Sequence, residues 1–320
     1  VRLVEPNSPA GMAGIKRGWR ITQINGNGNI TTAGSSTIVN SVYYSPTTSF
    51  VFSPPDGSTV SLTLNAAHYA EKPVMLDTVY NTGAQRIGYL VFNSFLGNTG
   101  QISSEFQRVF GKFASQQVTD VVVDLRYNGG GYVSLAEKLA NYLAPAAASG
   151  GVMMKQIYNS QNSSSNVTTY ISKTGNLQLQ KVYFIVSKST ASASELLINS
   201  LKPWMDVKLI GPGATHGKPV GFFPVSAGDW YVFPVSFKTI NKNGEGNYYS
   251  GLPVNAAVAD GLDKDWGDVN ESCLAAAIRN ITTGGFNRGE EQNYFAAPEI
   301  INSNEVLDKP FIKVTIGKGM

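Results

Sequence analysis

The chain has 320 residues, enough for one large domain or two modest ones with a sizeable buried core. Its formal net charge of +3 is small and evenly spread, with no Lys/Arg-rich block and no basic stripe, which argues against nucleic acid as a partner. A single cysteine, Cys273, excludes an intrachain disulfide and any cysteine-rich metal site, and no apolar run approaches the ~20 residues that span a bilayer.

The chain starts at Val1 without methionine or signal peptide, so it reads as a fragment or processed form. Residues 1–67 have the texture of short strands and turns. Val1-Arg-Leu-Val4 is strand-like, Asn7-Ser-Pro-Ala10 opens a short helix ending at Gly14, and Arg20 to Asn25 forms a strand running into Gly26. Ala13, Ile15, Ile21 and Ile24 would fill a small core. Residues 68–85 are polar, carry a proline and read as a connector.

From Arg86 the pattern changes to alternating strands and helices, the signature of an α/β domain. Ile87–Phe92 and Thr119–Leu125 are apolar strand runs. Between them Gln101–Gln116 places Ile102, Phe106, Val109, Phe110 and Phe113 on one helix face. Val133–Leu143 is a further helix, with leucines every fourth residue. Strands at 182–186 and 207–211 flank a helical pattern starting at Glu195. Residues 145–176 are rich in Ala, Gly, Ser and Asn and are expected to include exposed loops. Trp230–Phe237 suggests an antiparallel hairpin turning near Lys242-Asn-Gly244. Glu271–Asn280 is a helix in which Cys273 is buried filler, and the tail from Phe286 is irregular. The expected division is therefore 1–67, a connector at 68–85, a core at 86–285 and an extension at 286–320.

Chemistry concentrates at three places. Thr190-Ala191-Ser192-Ala193-Ser194-Glu195 sets a serine at a strand-to-helix junction, where the helix N-terminus stabilises developing negative charge. Ser189, Thr190 and Ser194 compete with Ser192 for the nucleophile role; Ser194 or Thr190 would otherwise cap the helix. Glu195 in the first turn suits the macrodipole and reads as structural. Thr215-His216-Gly217-Lys218 follows the next strand. A serine needs a base to accept its proton. A free lysine, with a pKa of ~10.4, must be desolvated to serve. Val220, Phe222 and Phe223 would supply apolar surroundings for Lys218, and Thr215 could orient its amine. His216 is the rival base, whereas His68 lies in the connector.

The third place is Asp124-Leu-Arg-Tyr-Asn-Gly-Gly-Gly131, three glycines between an apolar strand and a helix. Glycines let backbone N–H groups approach a ligand closely, so the loop suits an oxyanion hole; a phosphate cradle shares that logic, but the spacing fits neither nucleotide pattern. A plain structural turn is the third option. Asp124 and Arg126 would brace this loop. The cluster Asp260, Asp263, Asp265 and Asp268 lacks the spacing of a calcium loop and reads as solvated. Two isolated histidines do not make a zinc site, and neither metal nor organic cofactor is expected.

The stretch "SPA…AGIKRGWRITQING" resembles a PDZ domain of the kind attached to bacterial proteases. Its first strand and carboxylate-binding loop would lie upstream of Val1. Jointly, "DLRYNGGG", "STASASE" and "THGKP" resemble the S41 family of C-terminal processing, or tail-specific, peptidases over residues 86–260. That resemblance implies a mixed α/β chain, a PDZ-like β-rich domain followed by a core similar to crotonase and the Clp protease subunits. It implies Ser192 as nucleophile, Lys218 as general base and oxyanion donors at Ala193 and Gly130, with Gly129, Gly131, Thr215 and His216 in support. It further implies a polypeptide substrate presented by the PDZ domain and a bacterial envelope location, periplasmic or anchored through a segment absent from this chain. Oligomeric state stays open, a homodimer included.

Three departures stand out. Many members carry a glutamine four residues after the lysine, where this chain has Phe222. Some carry an aspartate about 11 residues after the serine, where this chain has Pro203. The spacing from Gly211 to Lys218 is one residue longer than usual. They motivate a second reading, a catalytically inactive peptide-binding envelope protein. A third is an acyl-hydrolysing or acyl-transferring enzyme acting on a smaller substrate.

Overall fold

The computed structural model describes residues 1–286; the extension expected from Phe286 onward otherwise lies outside the described residues. The chain divides into two compact units, one spanning Val1–Ala70 and a larger one beginning at Glu71.

In the first unit, α1 (Pro9–Met12) starts where the sequence signals it. Ser8 is the N-cap, its Oγ accepting the Gly11 N–H at 3.1 Å, and proline occupies the first turn. Strands β1 (Arg20–Ile24), β2 (Thr47–Ser53) and β3 (Val60–Asn65) form an antiparallel sheet in that order. Ile15, Ile24 and Phe52 are buried, but Ala13 is exposed because it caps a helix only four residues long. Val1–Val4 joins no ladder; the Val1 and Arg2 carbonyls instead accept from Gly18 N–H and the Arg17 guanidinium. A short helix, α2 (Ser35–Val39), precedes β2 without any apolar period that would have announced it.

The larger unit opens with β4 (Val74–Asn81), antiparallel to β5 (Arg86–Phe92). The connector expected at 68–85 thus contains a strand, β4. Its apolar residues lie between polar flanks, and as an edge strand it is only partly buried, which blurs its period. There follow α3 (Thr99–Ser115), β6 (Asp120–Asp124), α4 (Val133–Leu143), β7 (Val152–Ile157), β8 (Val167–Tyr170), β9 (Lys181–Ile185), α5 (Ala193–Leu201) and β10 (Asp206–Gly211). Then come β11 (Val220–Phe222), β12 (Val225–Ala227), β13 (Trp230–Val232), β14 (Val235–Asn241), β15 (Ala256–Ala257) and α6 (Ser272–Thr283).

The main sheet runs β15-β10-β9-β6-β5-β4, parallel except for the edge strand β4. Its central strands β5, β6 and β9 bury both faces, as parallel strands covered by helices do. Alternation along β6 and β9 sends Val121, Val123, Val182 and Phe184 toward α3, α4 and α5. Val122, Tyr183 and Ile185 point the other way, onto α6. The fold is therefore three layers, with Cys273 buried on the α6 side as expected.

A second sheet has the order β11-β14-β7-β8. Two of its strands, β7 and β8, fall in 145–176, and the exposed loop expected in that region joins them at residues 158–166. The expected hairpin at Lys242–Gly244 is also displaced. The chain does turn there, with Gly244 N–H on the Asn241 carbonyl at 3.0 Å, but the hairpin partners are β12 and β13, joined at Gly228-Asp229. Pro234 has no N–H to extend the ladder and separates β13 from β14.

Candidate active site

Three neighbouring parallel strands, β6, β9 and β10, end on the same edge of the main sheet, and each is followed by one of the three motifs. Side chains brought to the carboxyl ends of adjacent parallel strands form a crevice, the usual site position in such sheets.

The glycine loop after β6 is organised by Asn128, which is fully buried. Its Nδ2 donates to the Phe92 carbonyl at 3.0 Å and its Oδ1 accepts the Gly130 N–H at 2.9 Å. Two of the glycines are sterically required. A Cβ on Gly130 (φ +100°) would lie 2.8 Å from Ser192 Cβ and 2.9 Å from the Ala193 nitrogen. One on Gly131 (φ +140°) would meet the Phe95 backbone at 2.4 Å, since Phe95 and Gly131 form a parallel bridge. Gly129 is different: it is exposed and a Cβ there would touch nothing within 4 Å.

The serine turn is tied to the same loop. Thr190 Oγ1 donates to the Leu125 carbonyl at 2.8 Å, and the Asn128 carbonyl accepts from Ala191 N–H at 3.1 Å and Ser194 Oγ at 3.0 Å. Thr190 and Ser194 are buried in these roles, so of the competing hydroxyls Ser192 is the one that lines the cleft. Ser192 has φ 57° and ψ −113°, a region costing about 1–3 kcal/mol that persists only where its surroundings enforce it.

The enforcing group is Glu195. Fully buried in the first turn of α5, it accepts Ser192 N–H at Oε2 (3.0 Å), Lys218 N–H at Oε2 (2.9 Å), Gly217 N–H at Oε1 (2.6 Å) and Thr215 Oγ1 at Oε1 (2.5 Å). One carboxylate joins the serine turn to the lysine loop. This corrects two expectations: Glu195 does more than suit the macrodipole, and Thr215 orients Glu195 rather than the lysine amine. Thr215 in turn accepts the Leu252 N–H at 2.7 Å.

The half-buried Lys218 lines the cleft. Burial lowers its pKa, opposed by the nearby Glu195 charge. Its Nζ lies 4.3 Å from the centre of the Phe222 ring. His216 is exposed and not among the cleft-lining residues; its N–H binds the Thr190 carbonyl at 2.9 Å, and its own carbonyl accepts from Lys188 Nζ at 3.1 Å. His68 is exposed too. The cleft itself has a volume of about 430 Å³ and joins Ser192, Ala193 and Gly131 to an apolar wall of Leu196, Val220 and Phe237. The N–H groups of Ala193 and Gly131 have no acceptor among the described residues, whereas that of Gly130 is spent on Asn128.

Asp124 and Arg126 brace the strand end as expected, through a larger network. Arg126, buried, pairs with Asp124 (2.7 Å), Asp260 (2.6 Å) and Glu271 (2.8 Å), and Tyr89 donates to Asp124 at 2.8 Å. Asp260 is therefore not part of a solvated loop. Glu271 also caps α6, accepting Leu274 N–H at 2.9 Å.

The strands, loops and cleft so described coincide with a family match. Residues 86–246 match the model of peptidase family S41. This chain belongs to peptidase family S41. Membership supports a serine-type peptidase. Probable CtpA-like serine proteases from two strains of Staphylococcus epidermidis are 27% identical to it over 171 residues, covering 51% of this chain and 33% of theirs. The chain thus spans about a third of the length of these curated relatives. Among solved structures, an S41 protease assignment from Bacteroides fragilis NCTC 9343 superposes with a TM-score of 0.77 and 26% identity, covering 89% of this chain and 78% of that one. The photosystem II D1 C-terminal processing protease shares the fold at TM-score 0.50 and 22% identity, covering 80% and 67%. The mixed α/β fold of the S41 member agrees with the sequence expectation.

Among the described residues no helix is long and apolar enough to cross a membrane, and no group of three or more His, Cys, Asp or Glu could hold a metal ion.

Proposed function

We propose that this S41 member is an endopeptidase that cleaves polypeptides through an acyl-enzyme on Ser192. The observation that carries the proposal is the joint lining of one cleft by the strained Ser192, by Lys218 and by two residues with unpaired N–H groups, Ala193 and Gly131. Lys218 Nζ takes the Ser192 hydroxyl proton as Oγ bonds the substrate carbonyl carbon, and the carbonyl π pair moves onto oxygen. The N–H groups of Ala193 and Gly131, at the α5 N-terminus and in the glycine loop, receive that oxyanion. Gly131 replaces Gly130 in this role because Gly130 already donates to Asn128. Lys218 then passes its proton to the leaving amine, and water repeats the sequence to release the acid.

Burial supports Lys218 as a base by favouring its neutral form. The departures at Phe222 and Pro203, which motivated an inactive binding protein, do not remove either reacting group. Pro203 sits in the turn after α5 and does not line the cleft. The first unit would present polypeptide by adding it to the β1-β2-β3 sheet in the PDZ manner. An envelope location, periplasmic or anchored, is part of the same proposal.

The test is digestion of a library of unstructured peptides by this chain, read by mass spectrometry. Wild type should cut, and Ser192→Ala and Lys218→Ala should not. Turnover that survives Lys218→Ala but stops with His216→Ala would move the base to histidine. A folded wild type that binds peptides without cutting them would favour the inactive reading.

A further inference from the structure

Lys218 has a neighbour that the mechanism has not used. Lys218 and the residues of β11 that follow it, Val220, Gly221 and Phe222, together with Phe223, all line the cleft. A register shift between Gly221 and Phe222 marks where β11 departs from regular pairing with β14. The Phe222 ring lies under Lys218 Nζ at 4.3 Å and meets Phe233 edge-on at 5.9 Å and 83°. Gly221 keeps this strand close to its neighbour, because any Cβ there would lie 2.1 Å from the Phe237 ring. No hydrogen-bond acceptor for Lys218 Nζ exists among the described residues. The aromatic face is therefore its principal directional contact.

We infer that Phe222 is the positioning residue for Lys218, holding the amine by its ring face and stabilising the ammonium that forms as Ser192 gives up its proton. The inference rests on Lys218 being the base. A ring face does two things that a hydrogen-bond acceptor does not. It excludes water from the neutral amine, and its quadrupole attracts the amine more strongly once it is charged. The contact thus strengthens as the proton moves from Oγ to Nζ, and an interaction stronger in the transition state than in the ground state accelerates the step. Glu195, on α5, is the charged group that acts on Lys218; among the described residues Tyr132 is the other titratable side chain lining the cleft.

The test compares Phe222→Leu and Phe222→Tyr with wild type in the full chain. The readouts are the pH profile of kcat/KM on a peptide identified by the library digest, and the Lys218 titration followed by NMR of isotope-labelled lysine. Leucine keeps apolar cover but has no quadrupole. It should move both the acid limb and the NMR titration to lower pH by about half a unit, and reduce the plateau about 10-fold by loosening the amine. Tyrosine should restore the titration and keep the plateau within about 2-fold of wild type. Thermal melts identify any variant that has lost its fold, and the tyrosine variant then carries the comparison with free lysine. A Phe222→Leu protein whose Lys218 titrates as in wild type overturns the inference, whether or not its rate falls. Full activity in Lys218→Ala would instead remove the base assignment and the inference with it, so the two failures are distinct.

Discussion

Glu195 Oε2 accepts the backbone N–H groups of both Ser192 and Lys218, at 3.0 and 2.9 Å, so a single buried oxygen sets the two residues' backbones against each other. The other oxygen takes Gly217 N–H and the Thr215 hydroxyl. The carboxylate thereby fixes the relative position of two loops that leave the sheet from different strands, and it maintains the unfavourable φ of Ser192.

Glu195→Ala should therefore damage stability and catalysis together. Four donors lose their acceptor, and each buried donor left unsatisfied costs ~1–3 kcal/mol. A loss of at least about 3 kcal/mol in denaturant unfolding is expected, with peptide turnover reduced about 100-fold or more. Glu195→Gln keeps the shape and one acceptor oxygen, so it should fall between wild type and alanine in both measurements.

The glycine triplet should divide by position. Gly129→Ala meets open space and should change stability by no more than about 0.5 kcal/mol. Gly131→Ala drives a Cβ into the Phe95 backbone and Gly130→Ala drives one into the serine turn; each should cost about 2 kcal/mol or more and abolish turnover. Denaturant midpoints with parallel peptide assays separate the three.

Lys218 gives a pH dependence with a defined sign. Burial holds its folded pKa below the ordinary lysine value of ~10.4. Between the folded and unfolded pKa values the unfolded chain binds more protons, so this group makes stability rise with pH across that window. Below the folded pKa the cost of burying the charge is fully present. Lys218→Met should accordingly be more stable than wild type at neutral pH, and the gap should narrow as pH rises toward ~10.4. Denaturant unfolding at a series of pH values reads this directly.

Arg126 is the buried counter-charge of Asp124 and Glu271. Arg126→Met would strand both carboxylates and should cost about 3–5 kcal/mol. Any backbone shift at residue 126 should reach the cleft, because its carbonyl accepts from the Ser187 hydroxyl and the Ser187 N–H is held by Thr190 Oγ1. Unfolding and turnover of the same preparation measure both effects.

The core was legible because its strands are short continuous apolar runs and α3 and α4 carry a clear helical period. The three site motifs were legible because each closes such a strand, so the sheet had to bring them to one edge. What stayed hidden depended on partners distant in sequence. Nothing beside Glu195 announces Thr215, Gly217 or Lys218, which lie 20 to 23 residues on. The choice between Gly130 and Gly131 as donor turns on Asn128, whose amide takes one N–H and leaves the other. β4 was hidden because it is a partly buried edge, and β7 because its short apolar run lies inside a stretch rich in Ala, Gly, Ser and Asn. Phe222 stood out in sequence as part of the apolar surroundings of Lys218 and as a missing glutamine; the ring-face contact with Lys218 Nζ required the fold of β11.

The central claim is that Ser192 attacks with Lys218 as its base, and the most direct measurement is intact-protein mass spectrometry after mixing with an activated peptide ester. A single acyl adduct should accumulate on wild type and map to Ser192. It should be absent from Ser192→Ala, and in Lys218→Ala it should form at least about 100-fold more slowly. An adduct on another residue, or equal acylation rates in wild type and Lys218→Ala, would contradict the claim.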